Sequence, residues 1–144
     1  MARIKLTFPE ENIRFETTLR VRVSDLNYGN HLSNDRFLVY AHEARLRYIQ
    51  HLGYPSELEV AGIGLIIGDA AMVFLQQAFL GDQIRIELAV GEYSRVAFEL
   101  YYRLTREADK AVIGIVKTNM VCFDYAQTQQ VAALPSALRA QLDA

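Results

Sequence analysis

Residues 24–35 read Ser24-Asp25-Leu26-Asn27-Tyr28-Gly29-Asn30-His31-Leu32-Ser33-Asn34-Asp35. The stretch packs two acids, three amides, a histidine and two serines around a single glycine. That is more donor, acceptor and titrating capacity than a connecting loop requires. On its N-terminal side, Phe15, Thr17, Leu19, Val21 and Val23 alternate with Glu16, Thr18, Arg20 and Arg22. A period of two predicts a half-buried strand from Phe15 to Val23. If extension continues past Val23, Asp25 and Asn27 fall on the Val23 face. On its C-terminal side, Phe37, Tyr40, Ala41, Ala44, Tyr48 and Leu52 recur at helical spacing. They predict a helix from Asp35 to about Leu52, capped by Ser33 or Asn34 and closed by Gly53 and Pro55. Asp35 in the first turn suits the positive end of the helix dipole. A polar loop that feeds a helix N-terminus also presents unpaired backbone N–H groups. We therefore read residues 24–35 as the candidate active site.

Beyond the helix, Pro55 to Gly64 is a loop, and Leu65 to Phe79 is an apolar run too uniform to alternate. It predicts a buried strand in which Asp69 is the odd polar residue. Gly81-Asp82 marks a turn. Ile84, Ile86, Leu88 and Val90 then alternate with Arg85, Glu87 and Ala89 as a further strand. Gly91 to Arg95 predicts a turn, Val96 to Leu104 a strand, Glu107 to Lys110 a charged turn, and Ala111 to Phe123 a strand containing Gly114. Pro135 to Leu142 predicts a short terminal helix. Residues 1–12 read as a lead-in broken by Pro9. Strands joined by short turns run antiparallel. One long helix buries its apolar stripe on one face of such a sheet. The expected architecture is α+β, a curled antiparallel sheet of about five strands around one helix, in a single domain spanning 1–144. An uncovered sheet edge leads us to expect a homodimer, or a tetramer built from it.

Composition narrows the function classes. The 144 residues are 51% hydrophobic and 22% charged, with a net charge of −2. That balance suits a soluble domain with a real core and offers no general attraction for nucleic acid. The single cysteine, Cys122, lies in an apolar strand and reads as a core residue. No apolar run reaches membrane-spanning length, and no signal-peptide pattern is present, so the expectation is a cytoplasmic protein. The three histidines show no metal-ligand spacing and no phosphate-binding glycine loop is present, so no metal and no cofactor are expected.

The order of strand, polar loop, long helix and four-strand meander resembles the hotdog fold. The stretch SDLNYGNHLSNDRFLVYAHEARLRYIQHLGY is similar to the signature of the 4-hydroxybenzoyl-CoA thioesterase-like group of acyl-CoA thioesterases. The matching positions are Gly29 or Asn30, His31, Asn34, Phe37 and Glu43-Ala44-Arg45. Gly81-Asp82, the Cys122-Phe123-Asp124 strand end and Leu134-Pro135 extend the likeness over nearly the whole chain. The loop is also similar to plant acyl-carrier-protein thioesterases, whose alternate Asp, Asn and His positions fall on Asn27, Gly29 and His31. The resemblance implies hydrolysis of an acyl-CoA or acyl-carrier-protein thioester at a site between subunits. One position departs from it: the family's catalytic carboxylate falls on Asn27. An amide is neither a carboxylate nucleophile nor a general base, although it can donate to a carbonyl or orient a water.

Thioester hydrolysis needs a base or nucleophile and donors for the developing oxyanion. Asp25 and Glu43 are the first candidates for the carboxylate, with Asp69 a third. Each has a plain alternative: a loop-bonding Asp25, a salt-bridged Glu43 and a surface Asp69. His31, able to donate, accept and titrate, is the leading functional side chain, with Asn27 beside it. Tyr28, Gly29, Asn30, Ser33 and Asn34 are the candidate substrate-binding positions, and the N–H groups near Ser33 and Asn34 are the candidate oxyanion donors. Arg85 or Arg95 could meet nucleotide phosphates. Two rival readings remain open. One is a hydratase or dehydratase pairing His31 with Glu43, and the other is a non-catalytic acyl-thioester binder.

Overall fold

The computed structural model describes residues 1–144. The elements follow in order as β1 (Ile13–Arg20), α1 (Asn34–His51), β2 (Gly64–Phe74), β3 (Gln83–Tyr93), β4 (Ala97–Arg106), β5 (Ala111–Asp124), the two-residue β6 (Gln130–Val131) and α2 (Ser136–Asp143). The strands form one sheet in the order β1-β3-β4-β5-β2, with β6 beside the end of β5. Every pairing is antiparallel. The sheet wraps one face around α1, as the hotdog resemblance implied.

Packing explains why α1 sits where it does. Its stripe of Phe37, Tyr40, Ala41, Ala44, Tyr48 and Ile49 is buried. Ala41 and Ala44, both fully buried, allow the helix backbone close to the sheet. Ile84, Ile86 and Leu88 of β3, Leu100 and Leu104 of β4, and Val116 and Met120 of β5 meet it in a core cluster of 25 residues. Each such buried aliphatic side chain contributes roughly 1.5–3 kcal/mol relative to exposure. Gly53, at φ +103°, ends the helix in a conformation that glycine adopts without steric cost.

Several elements depart from the sequence expectation. The first strand ends at Arg20, not Val23. Val23–Asp25 is a single 3-10 turn, because the Asp25 carboxylate accepts the Arg22 N–H at 3.0 Å and closes it. Val23 is consequently 72% exposed, and the expected common face of Val23, Asp25 and Asn27 does not form. The apolar run after α1 is not a buried strand. It ends at Phe74, lies at the sheet edge and is exposed from Ile67 to Ala70. Its bulge falls between Ile67 and Asp69. β3 continues through Gly91 to Tyr93 with its own bulge, so the turn before β4 is shorter than expected. The lead-in is not idle. Phe8 is buried beneath the Arg103 guanidinium, and Asn12 donates to the Val90 carbonyl at 3.1 Å. Cys122 is buried in the core. No helix is long and apolar enough to cross a membrane.

Arg45 is the unexpected core residue, 1% exposed on α1. Its Nε donates to Glu57 at 2.8 Å and its Nη1 to the Tyr102 hydroxyl at 3.1 Å. Tyr102 in turn shares a 2.8 Å hydrogen bond with Thr118. A charge so deep survives because its donors find these partners.

Candidate active site

Residues 26–32 fold as a miniature hairpin. Leu26 and Leu32 face each other, Asn27 N–H donates to the His31 carbonyl at 3.0 Å, and Asn30 N–H donates to the Asn27 carbonyl at 3.0 Å. Asn30 takes φ +63°, a region asparagine enters more readily than most residues. The hairpin is fastened at both ends. Leu32 N–H donates to the Ala78 carbonyl at 2.8 Å, and Ser33 N–H to the Asp25 carbonyl at 3.0 Å.

Asn27 organises the interior of this hairpin. Its Oδ1 accepts the Gly29 N–H at 2.9 Å and, more weakly, the His31 N–H at 3.4 Å. That fixes the amide orientation, and Nδ2 stands 3.5 Å from His31 Nδ1. The Leu32 carbonyl lies 3.4 Å from the same ring nitrogen. The other ring nitrogen, Nε2, sits over Gly29, 3.1 Å from where a Cβ would be. Any side chain at position 29 would therefore push the imidazole aside.

Asp25 is 3% exposed. Its Oδ2 accepts the Arg22 N–H and, at 2.6 Å, the Tyr40 hydroxyl. Arg36 Nε lies 3.9 Å from Oδ1. Burial first, and the Asp25 hydrogen bond second, drive the Tyr40 hydroxyl pKa well above its usual value. Glu43 is ion-paired to Arg47 at 3.2 Å on the exposed side of α1. Asp69 is bound by Lys117 at 2.7 Å.

The first turns of α1 separate two clefts. One, of about 260 Å³, is lined by His31, Asn34 and Phe37 on one wall and by Phe74, Leu75 and Gln76 on the other. Phe37 and Phe74 meet edge to face, with centroids 5.0 Å apart. The other cleft, of about 300 Å³, lies between α1 and the end of β1 and contains Asp25 and Glu43. The structure thus brings His31 and Asn34 together, and Asp25 and Glu43 together, but the two pairs stand in different clefts. Tyr28 is fully exposed at the hairpin tip and lines neither. Ser33 is the helix N-cap residue without a side-chain cap bond. The Asn34 N–H, in the first turn, donates to no main-chain carbonyl. Gln76 of the His31 cleft was missed from the sequence. Its one signal was the polar Gln76-Gln77 pair interrupting an apolar run. No group of three or more His, Cys, Asp or Glu side chains converges as a metal site would.

Residues 21–142 match the family model described as the thioesterase-like superfamily. The chain belongs to the thioesterase-like superfamily. This superfamily member is 23% identical to the long-chain acyl-CoA thioesterase FadM of Escherichia coli (strain K12) over 128 residues, 89% of this chain and 96% of that protein. Its fold matches that of Slr0204, a 1,4-dihydroxy-2-naphthoyl-CoA thioesterase from Synechocystis, with a TM-score of 0.79 at 20% identity, covering 89% of this chain and 94% of that one. It also matches the gentisyl-coenzyme A thioesterase BH1999, with a TM-score of 0.78 at 22% identity, covering 89% and 99%. The Staphylococcus aureus protein SAV2348, solved in complex with CoA, gives a TM-score of 0.79 at 20% identity and coverage of 89% and 80%. The hotdog architecture and membership of a thioesterase superfamily are thereby shown.

Proposed function

We propose that this superfamily member hydrolyses acyl-CoA thioesters as a homodimer, with the thioester held in the His31 cleft. One observation carries the reading: the His31 ring and the start of α1 wall the same cleft. A thioester carbonyl gains negative charge on oxygen as a nucleophile adds, and preset donors stabilise that charge. The Asn34 N–H at the positive end of α1 is one donor. His31, donating through Nε2, is the other. With Oδ1 committed to backbone N–H groups, the Asn27 amino group faces His31 Nδ1. We take Nδ1 as the acceptor of that contact, with the ring proton on Nε2, over the alternative in which Nδ1–H donates to the Leu32 carbonyl at 3.4 Å. His31 then donates to the substrate rather than accepting a proton from water.

The His31 cleft contains no carboxylate, serine or cysteine of its own chain. The nucleophilic carboxylate, or the base that activates a water, then comes from a second copy. β2 offers eleven residues of edge with an unpaired outer side and an exposed centre. Such an edge is readily covered by a second copy of itself. Phe74 and Leu75, at the end of β2, also line the His31 cleft, so pairing there would close the cleft with partner surface. Asp25 then acts as a positioning residue that holds the loop.

Thiol release from acyl-CoAs with short, long and aromatic acyl groups tests the reading. We expect wild-type turnover and loss of most of it in His31→Gln, whose melting temperature stays unchanged. Absence of turnover across the panel would sink the proposal.

The lack of a carboxylate in the cleft also favours a second reading, a protein that binds acyl thioesters without cleaving them. Tight binding of acyl-CoA without turnover, and turnover newly created by Asn27→Asp, would identify it. The hydratase reading has no such support, because His31 and Glu43 do not share a cleft.

A further inference from the structure

The cleft on the β1 side of α1 has no part in the chemistry above, yet its composition is unusual. Four arginines, Arg20, Arg22, Arg36 and Arg47, line it beside two acids, Asp25 and Glu43, a surplus of two positive charges. No lysine lines it. The acids do not neutralise the arginines one for one. Asp25 spends its hydrogen bonds on the Tyr40 hydroxyl and the Arg22 backbone, leaving the Arg22 and Arg36 guanidinium groups at 3.9 Å, beyond hydrogen-bond distance. Arg20 makes no side-chain hydrogen bond and no ion pair within the chain. Arg47 alone is satisfied, by Glu43, by the Thr17 hydroxyl at 2.7 Å and by the Thr18 carbonyl at 3.2 Å. Three planar forks with unused donors around one cleft suit phosphate oxygens, which accept two parallel N–H bonds from each fork.

The position fits as well as the charge. The turn that carries Arg22 and Asp25 leads directly into the Asn27–His31 hairpin, and the two clefts flank the same first turns of α1. Arg36 follows Asn34 by two residues, and from Asn34 to Arg47 the helix rises about 20 Å. A ligand with its acyl group in the His31 cleft can therefore pass the helix start and set an anionic end among these arginines. The alternatives from the sequence are less suited. Arg85 stands on β3, 3.6 Å from Glu107 and 4.0 Å from Glu87, with its Nε buried and away from the first turns of α1. Arg95 lies beyond the far end of β3, about 30 Å from the loop end by strand length.

We infer that Arg20, Arg22 and Arg36 bind the phosphate groups of the CoA nucleotide. The inference deepens the proposed function and rests on it for the identity of the carrier. It makes CoA, rather than a carrier protein with a single phosphodiester, the preferred carrier. The test is equilibrium binding of CoA and of adenosine 3′,5′-bisphosphate by calorimetry at low and at physiological salt. Wild type is compared with Arg20→Gln/Arg22→Gln and with Arg95→Gln. Because the substituted side chains are exposed, matching thermal melts are expected to show an intact fold. The double variant should bind both ligands about tenfold or more weakly, as loss of two charge-assisted forks implies, and should lose much of the salt dependence. Arg95→Gln should bind as wild type does. Equal binding by wild type and the double variant overturns the inference, as does an equal loss in Arg95→Gln. A double variant that binds CoA normally but no longer binds an acyl-carrier-protein thioester also overturns it. Turnover plays no part in these readouts, so hydrolysis can fail while this inference stands, or the reverse.

Discussion

The hydroxyl of Tyr40 donates a 2.6 Å hydrogen bond to Asp25 Oδ2, joining the second turn of α1 to the turn that launches the His31 hairpin. Fifteen residues separate the two in sequence. The bond has a charged acceptor and is buried, so its removal in Tyr40→Phe should lower stability by about 1.5–3 kcal/mol. The same geometry separates positioning from catalysis. Asp25→Asn keeps an acceptor for Tyr40 and Arg22, whereas Asp25→Ala keeps none. Steady-state thiol release should survive in Asp25→Asn and collapse in Asp25→Ala. Equal collapse in both would instead make Asp25 a base.

Asn27→Asp exchanges a donor for an acceptor opposite His31 Nδ1, at a contact now 3.5 Å long. With the Leu32 carbonyl already 3.4 Å from Nδ1, this second acceptor should hold the ring proton on Nδ1, and imidazole 15N chemical shifts report the tautomer directly. His31 would change from donor to base, with a carboxylate newly placed beside it. Identical 15N shifts in the two proteins would show that residue 27 does not set the tautomer.

Arg45 lies in the core with Glu57 and Tyr102 as its partners. Arg45→Ala leaves Glu57 without its buried counter-charge and opens a cavity, so denaturant melts should show a loss of about 3–5 kcal/mol. Arg45→Lys should recover little of this, because one ammonium lacks the fork that reaches both partners.

Tyr48 is buried and its hydroxyl has no hydrogen-bond partner. Tyr48→Phe should therefore be neutral or stabilising by up to about 1 kcal/mol at pH 7. Burial pushes the Tyr48 hydroxyl from the usual 10.0 up to about 12, and the Cys122 thiol from 9.0 up to about 11. Both folded values lie above the unfolded ones, so the fold favours the neutral forms. That stability is fully present below pH 9 and is lost as pH rises through 11 and 12. Melting temperatures from pH 7 to 11 should fall, less steeply in Tyr48→Phe with Cys122→Ser. A flat profile in wild type would contradict this.

Gly114 is the glycine inside β5 that α1 requires. A Cβ there would stand 2.7 Å from Phe37 Cε2 and 2.8 Å from the Val73 carbonyl. Gly114→Ala should cost about 1–3 kcal/mol by overpacking. It should also lower turnover, because Phe37 is a wall of the His31 cleft. Unchanged melting and turnover would mean that the Phe37 wall relaxes freely.

Local periodicity made most of the architecture legible. The alternation of Ile84 to Val90 and the helical spacing from Phe37 to Tyr48 follow from backbone geometry, which repeats every two or 3.6 residues whatever surrounds it. Where a side chain overrode the period, legibility ended. Asp25 captured the Arg22 N–H and bent the chain where extension was expected. The run from Leu65 to Phe79 looked like a core strand because apolar residues at a free edge and in a core read alike, and a partner surface is not written in hydropathy.

The sequence by itself determined the order of elements, the glycine and proline stops, the polar loop before α1 and, through its motif, the hotdog class. Only the tertiary structure decided that Asp25 and Glu43 stand across α1 from His31 and Asn34. It also decided that three arginines from β1's end and α1 share one cleft with their donors unused. Spacing along a chain measures neither which side of a helix a loop residue reaches nor what its hydrogen bonds are spent on. Those depend on contacts between residues far apart in sequence, and they exist only once the chain has folded.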